Sequence, residues 1–494
     1  MSLLIARLNK SELVIKGDVN YIANKDPYVS DNGSIKHTLI AGWSYDGQYL
    51  TVFSDRLGMI PIFYWQTKDE IYISNSILDI VSNIPNPTFD YDALSVFLRL
   101  GFYISNDTPI NNVKVLSPDS TITISKSNFS LDTDTAEKSY FNKTFNGSRS
   151  QAISQYSSLF HEAVSERMPL GKFAMPLSGG RDSRHILLEC LALKRKPKLV
   201  ITSKKSSVTG QDEIDVASLL CEEFSLNHLV TEYDCKKTFY DEIIKNRLTH
   251  YLSDEHAWYL SIVDILRQEK VDYLLDGIGG DVLSNGLFYK PPLYEQINNN
   301  NTYAAAELIL GKQNEIHYLS KTMQKMLSWE RALEKIVNEL EKHYGSCDPV
   351  KSFYFWNRTR REISLSPIYL LSKTVNVSMP YLAPDMLTFF FSLPSDEYGM
   401  PGFHDEVIAA HTTTCKTRYE NKKKYNYNIE KYGSEWSAGI QYYMNTKFPP
   451  YVDKKYVLPR IIRLIITGNY SNESWYLKRL LYINELHKLG IKAT

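Results

Sequence analysis

Pro176-Leu177-Ser178-Gly179-Gly180-Arg181-Asp182-Ser183-Arg184 is the stretch on which the reading of this chain turns. Residues 173–177 are apolar and read as a short buried strand, the glycine pair turns the backbone, and residues 183–193 follow a helical pattern. A strand that turns through glycines into a helix exposes backbone N–H groups, and such a helix start attracts anions. Asp182 sharpens this reading. A carboxylate beside phosphates is repelled unless a divalent cation lies between them, so the loop suits a Mg²⁺-nucleotide better than a bare anion. Taken alone, the same residues also suit a plain turn between strand and helix.

Downstream, helices alternate with short apolar strands: strand 198–202, helix 213–223, strand 228–233, helix 257–268 and strand 271–275. That alternation predicts a doubly wound parallel sheet with its site at the carboxyl ends of the strands. The last strand runs into Asp276-Gly277-Ile278-Gly279-Gly280-Asp281, a second glycine turn carrying an acid. Two strand ends, each offering glycines and an aspartate, can hold one Mg²⁺-pyrophosphate between them. Beyond Gly286 the chain is helical and tyrosine-rich, with residues 328–343 the clearest amphipathic stretch.

Upstream, residues 2–8, 12–19, 38–44, 49–54, 62–66, 71–74 and 121–125 read as strands, with hairpin turns at Asn32-Gly33 and Asp46-Gly47. Residues 129–150, rich in Ser, Thr, Asp and Asn, read as a linker, and 151–168 as an amphipathic helix leading to the loop. The fold class is therefore α/β: a mainly antiparallel β domain over 1–140, then a doubly wound parallel-sheet domain over 150–494 with a helical C-terminal region.

A length of 494 residues fits two domains, and 43% hydrophobic with 23% charged residues is ordinary for a globular protein. Basic and acidic residues cancel at 56 each, which argues against nucleic acid or an anionic membrane as partner. Cys190, Cys221, Cys235, Cys347 and Cys415 are scattered, suggesting neither a zinc site nor a disulfide framework. Residues 1–16 lack a signal-peptide core, and no apolar run approaches the roughly 18 residues of a membrane span, so a cytoplasmic location is expected.

The first loop lacks the Gly-Lys-Ser/Thr ending of a Walker A motif. It resembles the Ser-Gly-Gly-x-Asp-Ser pyrophosphate loop of the asparagine synthetase family, in which ATP adenylates a substrate carboxylate. The second loop resembles that family's Ser-Gly-x-Gly-x-Asp motif, with Asp276 in place of the serine. The resemblance implies an ATP-pyrophosphatase domain in which Leu177, Ser178, Gly179, Gly180, Asp182, Ser183, Ser203, Asp276, Gly277 and Gly279 hold ATP while Asp182 and Asp281 hold Mg²⁺. Weaker likenesses extend further: Val377-Ser378-Met379-Pro380-Tyr381-Leu382-Ala383-Pro384-Asp385 to an Arg-x-Pro-Phe-Leu-Asp segment, and Ser54-Asp55-Arg56-Leu57-Gly58-Met59-Ile60-Pro61-Ile62-Phe63-Tyr64, followed by Ile73-Ser74-Asn75-Ser76, to the Asp-Arg-x-Gly-x-x-Pro-Leu-Tyr-Tyr stretch of an Ntn-type glutaminase domain. For the latter a structural hairpin is the preferred reading. Glutamine-using relatives carry a cysteine nucleophile directly after the initiator methionine, whereas Ser2 stands here and no cysteine precedes Cys190. The glutaminase-like domain is predicted inactive, with Ser2 as an N-terminal nucleophile the minor alternative.

Two further departures bear on function. The family's base, a glutamate between the glycines of the second loop, is Ile278 here; the glutamate that assists β-lactam synthetases falls at Asn376. Neither can take a proton at neutral pH. Lys416, Lys422 and Lys423, with Lys424, are candidates for the family's catalytic C-terminal lysine, though solvated lysines are the commoner explanation of such a run; Arg181 and Arg184 could contact phosphate or an acidic substrate. The expectation is an AMP-forming amide ligase, similar in logic to lasso-peptide cyclases and β-lactam synthetases, acting within one peptide or modified amino acid. A precursor-processing partner is expected where the substrate is a peptide. The alternatives are an ammonia-dependent asparagine synthetase and a nucleotide-binding regulator without catalysis.

Overall fold

The computed structural model describes residues 2–9, 12–30, 33–131, 143–204, 210–232, 237–284, 286–311, 316–399, 401–411, 443, 448–467 and 474–493. Its first part runs β1 (Leu3–Asn9), β2 (Glu12–Gly17), β3 (Asn20–Val29), β4 (Ile35–Tyr45), β5 (Leu50–Phe53), β6 (Phe63–Gln66), β7 (Glu70–Ser74), α1 (Ile77–Asn83), α2 (Tyr91–Leu100), β8 (Val113–Val115) and β9 (Thr121–Ile124). The strands form two antiparallel sheets, β2-β1-β7-β6-β8 and β3-β4-β5-β9. Alternation puts Leu4, Ala6, Ile71 and Ile73 of one sheet and Leu39, Ala41, Trp43 and Val52 of the other into one buried cluster.

The pattern reading missed β3, α1, α2 and β8. In β3 the residues Asn24, Lys25, Asp26 and Pro27 have low strand propensity, and pairing with β4 from Asn20↔Ser44 to Val29↔Ile35 overrides it. The helix α2 is set by its ends: the Asp90 carboxylate accepts from Ala93 N–H at 2.9 Å, and Gly101 at φ 91° closes it.

The second part contains α3 (Arg149–Glu166), β10 (Phe173–Pro176), α4 (Arg181–Ala192), β11 (Leu199–Lys204), α5 (Gly210–Glu223), β12 (His228–Glu232), α6 (Thr238–Leu248), α7 (Tyr259–Glu269), β13 (Tyr273–Leu275) and α8 (Gly280–Leu283). Further helices follow, including a π-helix, Phe355–Ile363, and then β14 (Asn376–Ser378). The strands make a parallel sheet in the order β12-β11-β10-β13-β14. The chain therefore starts at the central β10, moves out one way through β11 and β12, and returns to the other side with β13 and β14. The order reverses between β10 and β13, where the loops beyond the strand ends part and leave a crevice. Neither α6 nor β14 was expected as an element.

The antiparallel and parallel sheets are pinned together by buried polar groups. Asp26, at φ 54°, pairs with the buried Arg167 that follows α3, at 3.2 Å, and accepts from Met379 N–H at 2.7 Å. Ser378 on β14 donates to the Pro27 carbonyl at 2.9 Å, so β3 lies alongside the parallel sheet's edge. Part of the expected linker is packed rather than loose, since Phe145 N–H donates to the Ser392 carbonyl at 2.8 Å and its ring meets Phe389. The helix Ser474–Lys488 returns to α2, with Tyr482 stacked on Phe97 and its hydroxyl 2.6 Å from that of Tyr103. Among the described residues no helix is long and apolar enough to cross a membrane.

Candidate active site

The loop after β10 is held by its own hydroxyls. Leu177 extends the sheet, its N–H donating to the Ile201 carbonyl at 2.9 Å. Ser178 N–H donates to Ser183 Oγ at 3.1 Å, and Gly180 N–H to Ser178 Oγ at 3.1 Å. The N–H groups that the sequence leaves bare are thus partly satisfied by two serines, which are positioned to yield them to an anion. The cap of α4, Gly180, supplies no side chain to the helix start, which carries the positive end of the helix dipole. Gly179 has a steric duty: a Cβ there would sit 3.1 Å from the Glu213 Cα, so α5 packs directly on the loop.

The loop after β13 meets the first one across the crevice. Asp276 is buried, and its carboxylate accepts from Ile278 N–H at 2.9 Å and from the Tyr259 hydroxyl at 3.3 Å. Burial lifts its pKa to about 6, those two bonds opposing the rise. Gly279, at φ 90°, turns the chain into α8. A Cβ on Gly280 would fall 2.6 Å from Asp182 Oδ1, so this glycine lets the two loops touch.

Between the loops lies a cavity of about 240 Å³. Leu177, Ser178, Asp182, Ser183, Ser203, Asp276, Gly277 and Asp281 line it, so both expected metal-binding aspartates and most expected nucleotide-binding residues converge. Gly179, Gly180 and Gly279 are not in its wall; they shape the turns instead. No cluster of three or more His, Cys, Asp or Glu side chains able to hold a metal occurs among the described residues. Two opposed carboxylates are nonetheless a donor set suited to Mg²⁺, which keeps waters and takes its remaining ligands from phosphates.

Ile278 lines the cavity as an apolar wall, 7% exposed. Asn376 stands exposed at the start of β14, paired with Tyr273 at the amino end of β13 and away from the cavity. Arg181 is not in the cavity wall. Its guanidinium is engaged bidentately by Asp405 at 2.8 and 2.9 Å, and Arg184 lies 3.8 Å from the same carboxylate. Lys416, Lys422, Lys423 and Lys424 lie outside the described residues.

Several side chains around the two loops carry no role in the sequence reading. Behind Asp182, His404 of the helix Pro401–His411 places Nδ1 3.6 Å from Oδ1, and it also contacts Tyr156, His185 and Ser284. Burial and the nearby Arg181 and Arg184 hold its pKa down at about 3, so it is a neutral support. Tyr381, from the third motif-like segment, donates to the Asp182 carbonyl at 3.4 Å, and the Leu382 carbonyl accepts from Arg56. Asp55 accepts from the N–H groups of Leu57, Met59 and Ile60, which makes its stretch a structural turn. His256, Trp258 and Arg358 complete the cavity wall. Trp258 falls in the helix expected over 257–268, but no local pattern marks it, His256 or Arg358 as part of a site, and Arg358 is about a hundred residues from the other two.

No curated protein matches the chain. A solved structure similar to it is the U34-tRNA thiolase NcsA from Methanococcus maripaludis with its [4Fe-4S] cluster, at 18% identity over 42% of this chain and 77% of that one, with a TM-score of 0.22. The asparagine synthase family model matches residues 155–396, which hold both glycine loops, both aspartates and all five parallel strands. This part of the chain is an asparagine synthase domain, the family that the two glycine loops resemble.

Proposed function

We propose that this protein uses ATP to adenylate a carboxylate and then joins it to an amine of the same molecule, releasing AMP and pyrophosphate. The observation that carries the reading is the meeting of two glycine loops at the reversal of strand order, with Asp182 and Asp281 both facing one cavity. In this scheme Leu177, Ser203 and Gly277 line the adenylate, while the Ser178 and Ser183 hydroxyls exchange their bonds with loop N–H groups for bonds to phosphate. Asp182 and Asp281 would hold Mg²⁺, which when bound neutralises phosphate charge. A C-terminal lysine among Lys416, Lys422 and Lys423 remains the resemblance-based choice for stabilising the displacement.

The intramolecular part rests on Ile278. An amine delivered from solution is mostly protonated at neutral pH, and a positioned base contributes about 10²–10⁴ in rate. An apolar residue fills the family position for that base. Holding both ends of one substrate together offsets the loss, since effective molarities reach about 10⁵–10⁸ M. A peptide or modified amino acid handled in the cytoplasm is the substrate class that fits. Incubation with ATP, Mg²⁺ and candidate peptides should give AMP and pyrophosphate; formation of ADP and phosphate would refute the adenylation. Efficient conversion of aspartate and ammonium to asparagine by the unmodified protein would refute the intramolecular step.

A further inference from the structure

The cavity is short of positive charge for the ligand it is proposed to take. Asp182, Glu213, Asp276 and Asp281 line it, and among the described lining residues Arg358 is the one lysine or arginine. Like charges brought together in a partly buried site repel far more than they do in bulk water. A polyphosphate entering between these carboxylates therefore needs cations from the protein as well as from a metal. Arg181 and Arg184, the arginines of the loop itself, are turned to Asp405.

Arg358 is delivered by the π-helix Phe355–Ile363. Such helices are rare, and their i→i+5 repeat brings Arg358 and Ile363 onto one face; both line the cavity. The guanidinium lies 5.3 Å over the Phe288 ring, which is itself stacked at 3.5 Å on Tyr354, so the side chain is propped from behind. Its Nη1 donor is not consumed. Nη1 is 3.9 Å from Asp281 and Nε is 3.7 Å from Glu362, both beyond hydrogen-bond distance, and Nη1 is buried with no hydrogen-bond partner. A buried, unsatisfied guanidinium N–H costs free energy unless a ligand completes it. Planar bidentate donation to phosphate is what guanidinium does best.

We propose that Arg358 is a pyrophosphate-binding residue, grasping the β- and γ-phosphates of ATP beside Asp281 and holding the pyrophosphate after cleavage. This rests on the adenylation reading and adds to it a residue that neither glycine loop contains. The test uses the full chain, with Mg²⁺ present, and measures by calorimetry the binding of ATP, inorganic pyrophosphate and AMP to the wild type, Arg358→Gln and Arg358→Lys. Loss of charge-assisted hydrogen bonds should weaken ATP and pyrophosphate about 10- to 100-fold in Arg358→Gln. AMP binding should change less than about 3-fold, and Arg358→Lys should recover part of the loss by restoring the charge without the fork. Unchanged pyrophosphate affinity in Arg358→Gln would overturn the proposal, as would an equal loss for AMP or a loss that Arg358→Lys does not relieve. If the wild type binds neither ATP nor pyrophosphate, the adenylation reading itself falls; if it binds both and the variants bind them equally, only the role of Arg358 falls.

Discussion

Asp182 and Asp281 project from different loops into one cavity, so each should be separable from stability. Replacing either with alanine removes a ligand for a cation that neutralises developing charge, an effect worth several kcal/mol. We expect ATP cleavage to AMP to fall at least about 10²-fold, with a melting temperature within a few degrees of wild type. Near-normal turnover in either variant would show that the pair does not hold the metal. Glu362 behaves differently because it is buried, at 1% exposure. Burial raises its pKa from 4.5 to about 8, the charges of Glu255 and Asp254 adding to the rise and Arg358 opposing it. The folded state thus keeps a proton that the unfolded chain loses, so this group's contribution is most favourable below pH 4.5 and is eroded as pH rises to about 8. Glu362→Gln should therefore gain stability relative to wild type progressively between those limits. Melting curves across that range giving a constant difference would contradict the assignment.

At the scale of elements, the site depends on how closely two turns approach. A Cβ on Gly280 would lie 2.5 Å from the Asp182 Cγ, whereas one on Gly277 would lie 3.4 Å from the Asp182 Cβ, an ordinary contact. Gly280→Ala should push the aspartate aside and cut ATP cleavage by about 10-fold or more, a displacement of about 1 Å costing on the order of 10² in rate. Gly277→Ala should leave the loops in place, and a melting temperature near wild type would check that. Equal activity in wild type and Gly280→Ala would mean that Asp182 has room the structure does not show. The strands β10, β11 and β13 and the helix α4 were legible because each apolar run ends at glycine, polar or charged residues. The π-helix carrying Arg358 was not, since no side-chain pattern announces an i→i+5 repeat and its hydrogen bonds depend on packing. Likewise β14 is only three residues long and exists through its pairing with β13.

For the whole molecule, the buried ion pair of Asp26 on β3 with Arg167 beyond α3 ties the antiparallel sheet to the second part of the chain. Removing one partner leaves a buried, uncompensated charge, so Asp26→Ala should cost about 3–5 kcal/mol in unfolding measurements, and a loss below about 1 kcal/mol would show that the sheets are held by apolar packing alone. The N-terminal sheets have a second expectation, drawn from Ser2 and the lack of any cysteine before Cys190: glutamate should not be released from glutamine. Release abolished by Ser2→Ala would restore an amidotransferase. By itself the sequence determined the two glycine loops, their aspartates, the alternation that makes a parallel sheet and the apolar residue at the family's base position. These are local matters of turn chemistry, periodicity and charge, and each is readable over a short stretch of chain. Only the tertiary structure decided that the strand order reverses between β10 and β13, that Asp405 occupies Arg181, that His404 and Tyr381 brace Asp182, and that Arg358 enters the cavity. Those depend on contacts between residues far apart in the chain, whose free energy is gained only after the chain has closed the loops between them.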